Sequence, residues 1–214
     1  MKIYPSLISA DLLNLETVIK KLEGNCDGLH IDIMDDHFVP NLTWGPAFIN
    51  AISKKTQLPL DIHLMVDNPA SWVNRISLRS HDIVIFHIEA VHKDLVAQLI
   101  SDFKNKGCRV GIAVNPKTSV ETVFDFIDDL DCVLIMSVEP GFSGQSFIQS
   151  VVEKVQPLID IRNEKKLSFE ICMDGGIDKT NITELAEKGV DVVGAASAIF
   201  SHDDYLKALR DLKV

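Results

Sequence analysis

Eight short runs rich in β-branched and apolar residues recur along the chain, each followed by an amphipathic stretch, and this rhythm restricts the fold more than any other feature. The strand candidates are Ile3–Ser6, Gly28–Met34, Leu60–Met65, Ile83–His87, Val110–Val114, Cys132–Ser137, Phe169–Asp174 and Asp191–Ala196. Between them the spacing predicts helices over Leu12–Leu22, Ala47–Lys55, Pro69–Ile76, Asp94–Asn105, Val120–Asp128, Gln149–Asn163, Asn181–Lys188 and Asp203–Leu212. In the first, Leu12, Leu15, Val18, Ile19 and Leu22 fall on one helical face. Asp11 and Asn181 stand where N-caps belong, and Gly107 and Gly189 where helices end. The expected fold is therefore α/β, a (β/α)8 TIM barrel forming a single domain over residues 1–214. An open doubly wound sheet would need a Gly-rich turn after the first strand, and Pro5-Ser6-Leu7-Ile8-Ser9 is not one.

The composition suits such a barrel. A chain of 214 residues with 46% hydrophobic side chains can bury a large core without disulfides or structural metals. Its net charge of −10, from 31 acidic and 21 basic residues, disfavours nucleic acid or an anionic membrane as partner. An anionic substrate must therefore be held by local devices. No apolar stretch is long enough to span a membrane, and Met1–Ser6 precede no secretory h-region. Cys26, Cys108, Cys132 and Cys172 form no CxxC pair and read as reduced thiols of a cytoplasmic protein. Arg75, Arg79 and Arg162 read as solvated charges without a role.

In a barrel of this kind, chemistry belongs at the C-terminal ends of the strands. The second strand carries His30, Asp32 and Met34 at alternate positions, the third carries Asp61, His63 and Met65, and the seventh ends at Asp174. Side chains two apart share a face. If that face is the interior, His30, His63, Asp32 and Asp174 converge as a four-ligand site for a divalent cation, Zn2+, Fe2+, Mn2+ or Co2+, among which ligand type and spacing alone do not choose. Small residues follow the last three strands, in Pro140–Gln145, Asp174–Ile177 and Ala195–Ser197. Backbone N–H groups there, with a helix start after the eighth strand, can cradle a phosphate without lysine or arginine.

The segments PSLISAD (5–11), LHIDIMDDHFVPNLTWGP (29–46), LPLDIHLMV (58–66), FHIEA (86–90), LIMSVEPGFSGQSF (134–147) and MDGGI (173–177) resemble ribulose-phosphate 3-epimerase, in register from the first strand to the last. The resemblance implies that His30, Asp32, His63 and Asp174 hold the metal and that Asp32 and Asp174 are also the acid/base pair. It implies substrate contacts from Ser6 and His63, with Met34, Met65 and Met136 lining the reacting carbons. The phosphate would lie against Gly141, Phe142, Ser143 and Gly144, against Gly175 and Gly176, and against Ala196 and Ser197. The methionines equally suit a core-filling role.

Epimerisation beside a ketone takes a proton from one face of a carbon and returns one to the other, which calls for two carboxylates. The resemblance therefore implies interconversion of D-ribulose 5-phosphate and D-xylulose 5-phosphate, in a homo-oligomer whose only partners are sugar phosphates. The alternatives are 3-epimerisation of a six-carbon ketose phosphate such as D-allulose 6-phosphate, or a weakly active paralogue that binds sugar phosphate. Four positions depart from the family pattern: Asp36, Ser143 and Ala196 stand for a usual Gly, and Cys172 for a usual Glu.

Overall fold

Inward and outward positions alternate along every strand, and that two-residue period builds the molecule. The computed structural model describes residues 1–214. Its strands are β1 (Lys2–Pro5), β2 (Leu29–Met34), β3 (Leu60–Met65), β4 (Ile83–His87), β5 (Arg109–Val114), β6 (Cys132–Met136), β7 (Glu170–Asp174) and β8 (Val192–Ala195). All pair in parallel, in the order β1-β8-β7-β6-β5-β4-β3-β2. The ring closes between β1 and β2 through a parallel bridge from Ser6 to His30. Just below, the Ile3 amide donates to the Asp27 carboxylate at 3.0 Å. This is the (β/α)8 barrel that the alternation predicts.

Two apolar shells follow from the alternation. Leu29, Ile31 and Ile33 of β2, like Leu60, Ile62 and Leu64 of β3, face outward into the main core between strands and helices. Tyr4, Ile83, Ile85, Cys132, Leu134, Cys172 and Val192 form a second cluster inside the barrel. That plug makes the barrel a packed core, with the four expected ligands above it at the C-terminal end.

The α-helices are α1 (Leu15–Leu22), α2 (Pro46–Ile52), α3 (Lys93–Lys104), α4 (Val155–Glu164), α5 (Ile182–Lys188), α6 (Ser197–Phe200) and α7 (Tyr205–Asp211). Four expected helices are wholly or partly 3₁₀, among them Gln149–Asn163, which opens as the 3₁₀ segment Gln149–Lys154 before α4. Leu12–Asn14 precedes α1 as a 3₁₀ turn, with the Asp11 side chain accepting from the Leu13 amide at 3.2 Å. The expected helix over Pro69–Ile76 shrinks to a 3₁₀ segment, Pro69–Trp72. Val73, Asn74 and Ser77 are weak helix formers, and Val73 and Ile76 are buried without helical continuation. Val120–Asp129 is 3₁₀ throughout and still buries Val120, Val123 and Ile127 on one side. Asn181 precedes α5 without capping it; its amide instead donates to the Gly176 carbonyl at 2.9 Å.

Two arginines depart from the solvated role expected of them. The Arg79 guanidinium grips Asp82 through Nη2 at 2.7 Å and Nε at 2.9 Å, and donates to the carbonyls of Thr56 at 2.6 Å and Leu58 at 2.9 Å. Asp82 is fully buried and accepts from the Leu60 amide at 3.0 Å, so this clamp joins the start of β3 to that of β4. Arg162 donates to Asp191 at 2.6 Å and to the Phe169 carbonyl at 3.1 Å. Backbone carbonyls at the N-terminal end of the barrel need donors, and long guanidinium side chains reach them. Arg75 stays exposed, as expected.

Replacing Arg79 leaves a buried carboxylate without its cation. Arg79→Met is expected to lower unfolding free energy by about 3 kcal/mol, read from urea denaturation. An unchanged midpoint and slope would show that the clamp contributes nothing.

Candidate active site

Strand parity delivers the four expected ligands to one place. His30 and Asp32 point inward from β2, His63 from β3 and Asp174 from the end of β7, and one ligand atom of each lies within 4.8 Å of the others. Around this ring, His30 Nε2 is 3.3 Å from Asp32 Oδ1 and 3.7 Å from Asp174 Oδ2. His63 Nδ1 is 3.6 Å and 4.0 Å from the same two oxygens.

The donor set fits a divalent cation. Bonds of about 2.1 Å place tetrahedral neighbours about 3.4 Å apart, close to these separations. His63 Nδ1 is buried without a hydrogen-bond partner, although it faces two carboxylates. Only imidazoles pair with Asp32 and Asp174, with no lysine or arginine in reach. Two carboxylates this close, in a site this buried, call for a positive charge between them. Imidazole with carboxylate suits zinc, iron, manganese or cobalt.

The two carboxylates differ in their surroundings. Asp32 Oδ2 accepts the Ser6 hydroxyl at 2.5 Å, whereas the Asp174 side chain accepts no hydrogen bond and faces the cavity. Burial works against ionisation of Asp32, but His30 and His63 beside it hold it well below the usual carboxylate range. Burial, with the charge of Asp32 added, raises Asp174 despite His30. At His30 burial is outweighed by Asp61, Asp32 and Asp174, which raise its pKa well above the ordinary histidine value.

Above the cluster opens a cavity that is continuous with solvent. Its wall contains Ser6, Met34, Met65 and Met136, then Gly141, Phe142, Ser143 and Gly144, then Gly175, Gly176, Ala196 and Ser197, so these expected substrate-binding residues are brought together. Of the four cluster residues only Asp32 and Asp174 reach the wall. His30 and His63 lie buried beneath them, which differs from the expected contact between His63 and substrate. The three methionines are both packed and wall-forming.

No lysine or arginine lines the cavity, so an anion there must be met by neutral donors, backbone amides and the hydroxyls of Ser143 and Ser197. The loops that offer them are braced by side chains. Gln145 donates to the carbonyls of Glu139 at 2.6 Å and Phe142 at 2.9 Å. Asn41 donates to the Gly141 carbonyl at 2.7 Å, and Ser137 to the Gly175 carbonyl at 2.6 Å. Gly176 has φ +64°, and a Cβ there would meet the Phe147 amide nitrogen at 2.7 Å, so only glycine fits. The helix start expected after the eighth strand is the four-residue α6.

The four departures from the family pattern are each accommodated. Asp36 takes φ +58°, a left-handed conformation that Asp tolerates better than most residues. Ser143 Oγ meets Ser9 Oγ at 2.7 Å, joining the loops after β6 and β1. Ala196 has φ −107°, so no left-handed backbone calls for glycine there. Cys172 lies below the cluster beside Cys132, among the apolar residues of the barrel interior.

Some residues that shape the site escaped sequence reasoning. His87 and Glu89 stand behind His63, and their signal was the inward parity of Ile83, Ile85 and His87. Asp61 was read on one face with His63 but given no role; its Oδ2 receives His30 Nδ1 at 3.0 Å. Gly194 had no signal, because its role is to leave room for a side chain on the neighbouring strand.

Comparisons with known proteins place this geometry among relatives. The model of the Ribulose-phosphate 3 epimerase family matches residues 2–200. A ribulose-phosphate 3-epimerase of Bacillus subtilis is 39% identical, over 100% of this chain and 98% of its own. The chloroplastic ribulose-5-phosphate-3-epimerase of Arabidopsis thaliana is 37% identical, over 99% of this chain and 75% of its own. Among solved structures, a 3-hexulose-6-phosphate synthase superposes with TM-score 0.71 at 13% identity, covering 99% of this chain and 98% of that one. KGPDC from Streptococcus mutans, in complex with D-R5P, gives TM-score 0.75 at 11% identity, covering 99% and 94%. At such identities the likeness concerns the fold alone.

A Cβ on Gly194 would lie 2.5 Å from Asp174 Oδ1 and drive that carboxylate out of the cluster. Gly194→Ala is expected to stay folded by circular dichroism while its affinity for a divalent cation, from chelator competition, falls about tenfold or more. Wild-type affinity in that variant would show that Asp174 does not need its present position.

Proposed function

The chain belongs to the ribulose-phosphate 3-epimerase family of isomerases, and on that premise we propose that it interconverts D-ribulose 5-phosphate and D-xylulose 5-phosphate by metal-dependent two-base proton transfer. The observation that carries this reading is the pair of carboxylates on the cavity wall. Asp32 and Asp174 come from β2 and β7, separated around the ring by β8 and β1, and have unequal surroundings.

In this mechanism one carboxylate removes the proton at carbon 3 of the ketose phosphate, leaving an enediolate. The other, protonated, delivers a proton to the opposite face, and the roles exchange in the reverse direction. Asp32 is steadied by the Ser6 hydroxyl, and Asp174 is free to approach the substrate. Met34, Met65 and Met136 provide an apolar, adaptable wall that keeps water from the reacting carbon. The amide-rich loops at Gly141–Gly144, Gly175–Gly176 and Ala196–Ser197 receive the phosphate. A divalent cation held by His30, Asp32, His63 and Asp174 supplies Lewis-acid stabilisation of the charge on the enediolate oxygens.

Zinc is the first candidate for that cation, ahead of iron, manganese and cobalt. Four cysteines, none in a disulfide, support a reducing, cytoplasmic setting. A homo-oligomer belongs to the same reading, and Leu13 and Leu42, 96% and 70% exposed, are apolar surface that such an assembly could cover.

Removing one imidazole tests the metal. His30→Ala and His63→Ala are each expected to lose bound zinc and at least about 100-fold of the activity while remaining folded, because the metal here serves chemistry and not folding. Full metal content with full activity in both variants would sink the site.

Isotope exchange tests the mechanism. In deuterated water, with metal supplied, each turnover of ribulose 5-phosphate is expected to give xylulose 5-phosphate labelled at carbon 3, since the delivered proton comes from a different group than the one that took the first. Product without solvent deuterium overturns the two-base mechanism. Faster turnover of a six-carbon ketose phosphate in parallel assays overturns the substrate assignment alone.

A further inference from the structure

The ring of His63 is fully buried and held between two different environments. Its Nδ1 faces Asp32 and Asp174 without a hydrogen-bond partner. Its Nε2 lies 2.8 Å from Nε2 of His87, another fully buried ring. His87 Nδ1 in turn lies 3.2 Å from Glu89 Oε2, and Glu89 Oε1 accepts the Asn115 amide at 2.8 Å. The two imidazole planes are inclined by 24° with centroids 5.0 Å apart, so the rings meet edge to edge through their nitrogens, and Phe38 packs on His87 at 4.7 Å. Neither ring has room to turn away.

Such a line of contacts has a direction. Two ring nitrogens at 2.8 Å form a hydrogen bond only if one carries hydrogen and the other a lone pair. The His87 nitrogen that faces a carboxylate is the N–H. A neutral imidazole has only one, so His87 Nε2 accepts, and His63 Nε2 must donate to it. The lone pair of His63 then sits on Nδ1, aimed at the cluster. The alternative, a doubly protonated His87, would turn an N–H of His63 into the cluster and set a positive ring 2.8 Å from a nitrogen of a metal-binding residue.

We propose that His87 and Glu89 are positioning residues: Glu89, acting through His87, fixes His63 in the tautomer whose Nδ1 lone pair can bind metal. His30 meets its carboxylate with one link fewer, since its Nδ1 meets Asp61 directly while its Nε2 faces the cluster. The relay is longer at His63 because that residue presents Nδ1 inward, leaving Nε2 to point across to β4, whose last residue is His87. The inference rests on the metal reading above, and metal-independent spectra separate the two.

The full-length wild type is compared with His87→Leu and His87→Gln, by zinc affinity and by 15N spectra of the imidazoles after chelator treatment. Leucine breaks the relay. Glutamine preserves its direction, because the amide oxygen accepts from His63 while the amide nitrogen donates to Glu89. His87→Leu is expected to bind zinc about 10- to 100-fold more weakly, and His87→Gln within about threefold of wild type. Wild-type spectra at neutral pH are expected to report hydrogen on His63 Nε2 and His87 Nδ1, and His87→Leu a mixture of His63 tautomers. The proposal is overturned if His87→Leu keeps wild-type affinity, if glutamine fails as leucine does, or if wild-type His87 carries its hydrogen on Nε2. A wild type that binds no zinc overturns the metal reading, and the relay then stands or falls on the spectra.

Discussion

Closure of the barrel is the constraint from which the site follows. Once β1 and β2 are joined at Ser6 and His30, eight strands must share one interior, and the pleat sends every second residue there. Polar residues in those positions have nowhere else to go. His30, Asp32, His63 and Asp174 are forced together, and their mutual desolvation is tolerable only because they partner one another or a cation. Ser6 illustrates the economy of this arrangement. Its backbone helps to close the ring and its hydroxyl steadies Asp32.

The strands and the cluster were legible in the sequence because both express the same period of two. Strand positions deviate by a residue at most, and the four expected ligands meet. The helical layer was less legible. Apolar spacing at three and four residues does not distinguish an α-helix from a 3₁₀ run, as Val120–Asp129 demonstrates, since either buries Val120, Val123 and Ile127. Arg79 was misread for a different reason: its partners are carbonyls and one buried carboxylate supplied by three separate segments. Gly194 and His87 act through neighbouring strands, and such neighbours are known only once the register is.

The departures from the family pattern also become intelligible in space. A position that requires a left-handed backbone accepts Asp36 at modest strain, and a position with negative φ accepts Ala196. Ser143 goes further and adds a contact, since its hydroxyl reaches Ser9 on the loop after β1. Together with Asn41 on Gly141, it ties the loop after β6 to two others. The cradle is thus held by side-chain bonds among loops, which suits a site with no lysine or arginine to impose order.

The apolar plug of Tyr4, Ile85, Leu134, Cys172 and Val192 has a kinetic consequence. It turns the cavity into a cul-de-sac. Whatever enters past Phe142 must leave by the same mouth, so arrival and departure share one door. A molecule that has been converted there blocks its successor until it has gone, and traffic through the opening, in either direction, obeys a single queue.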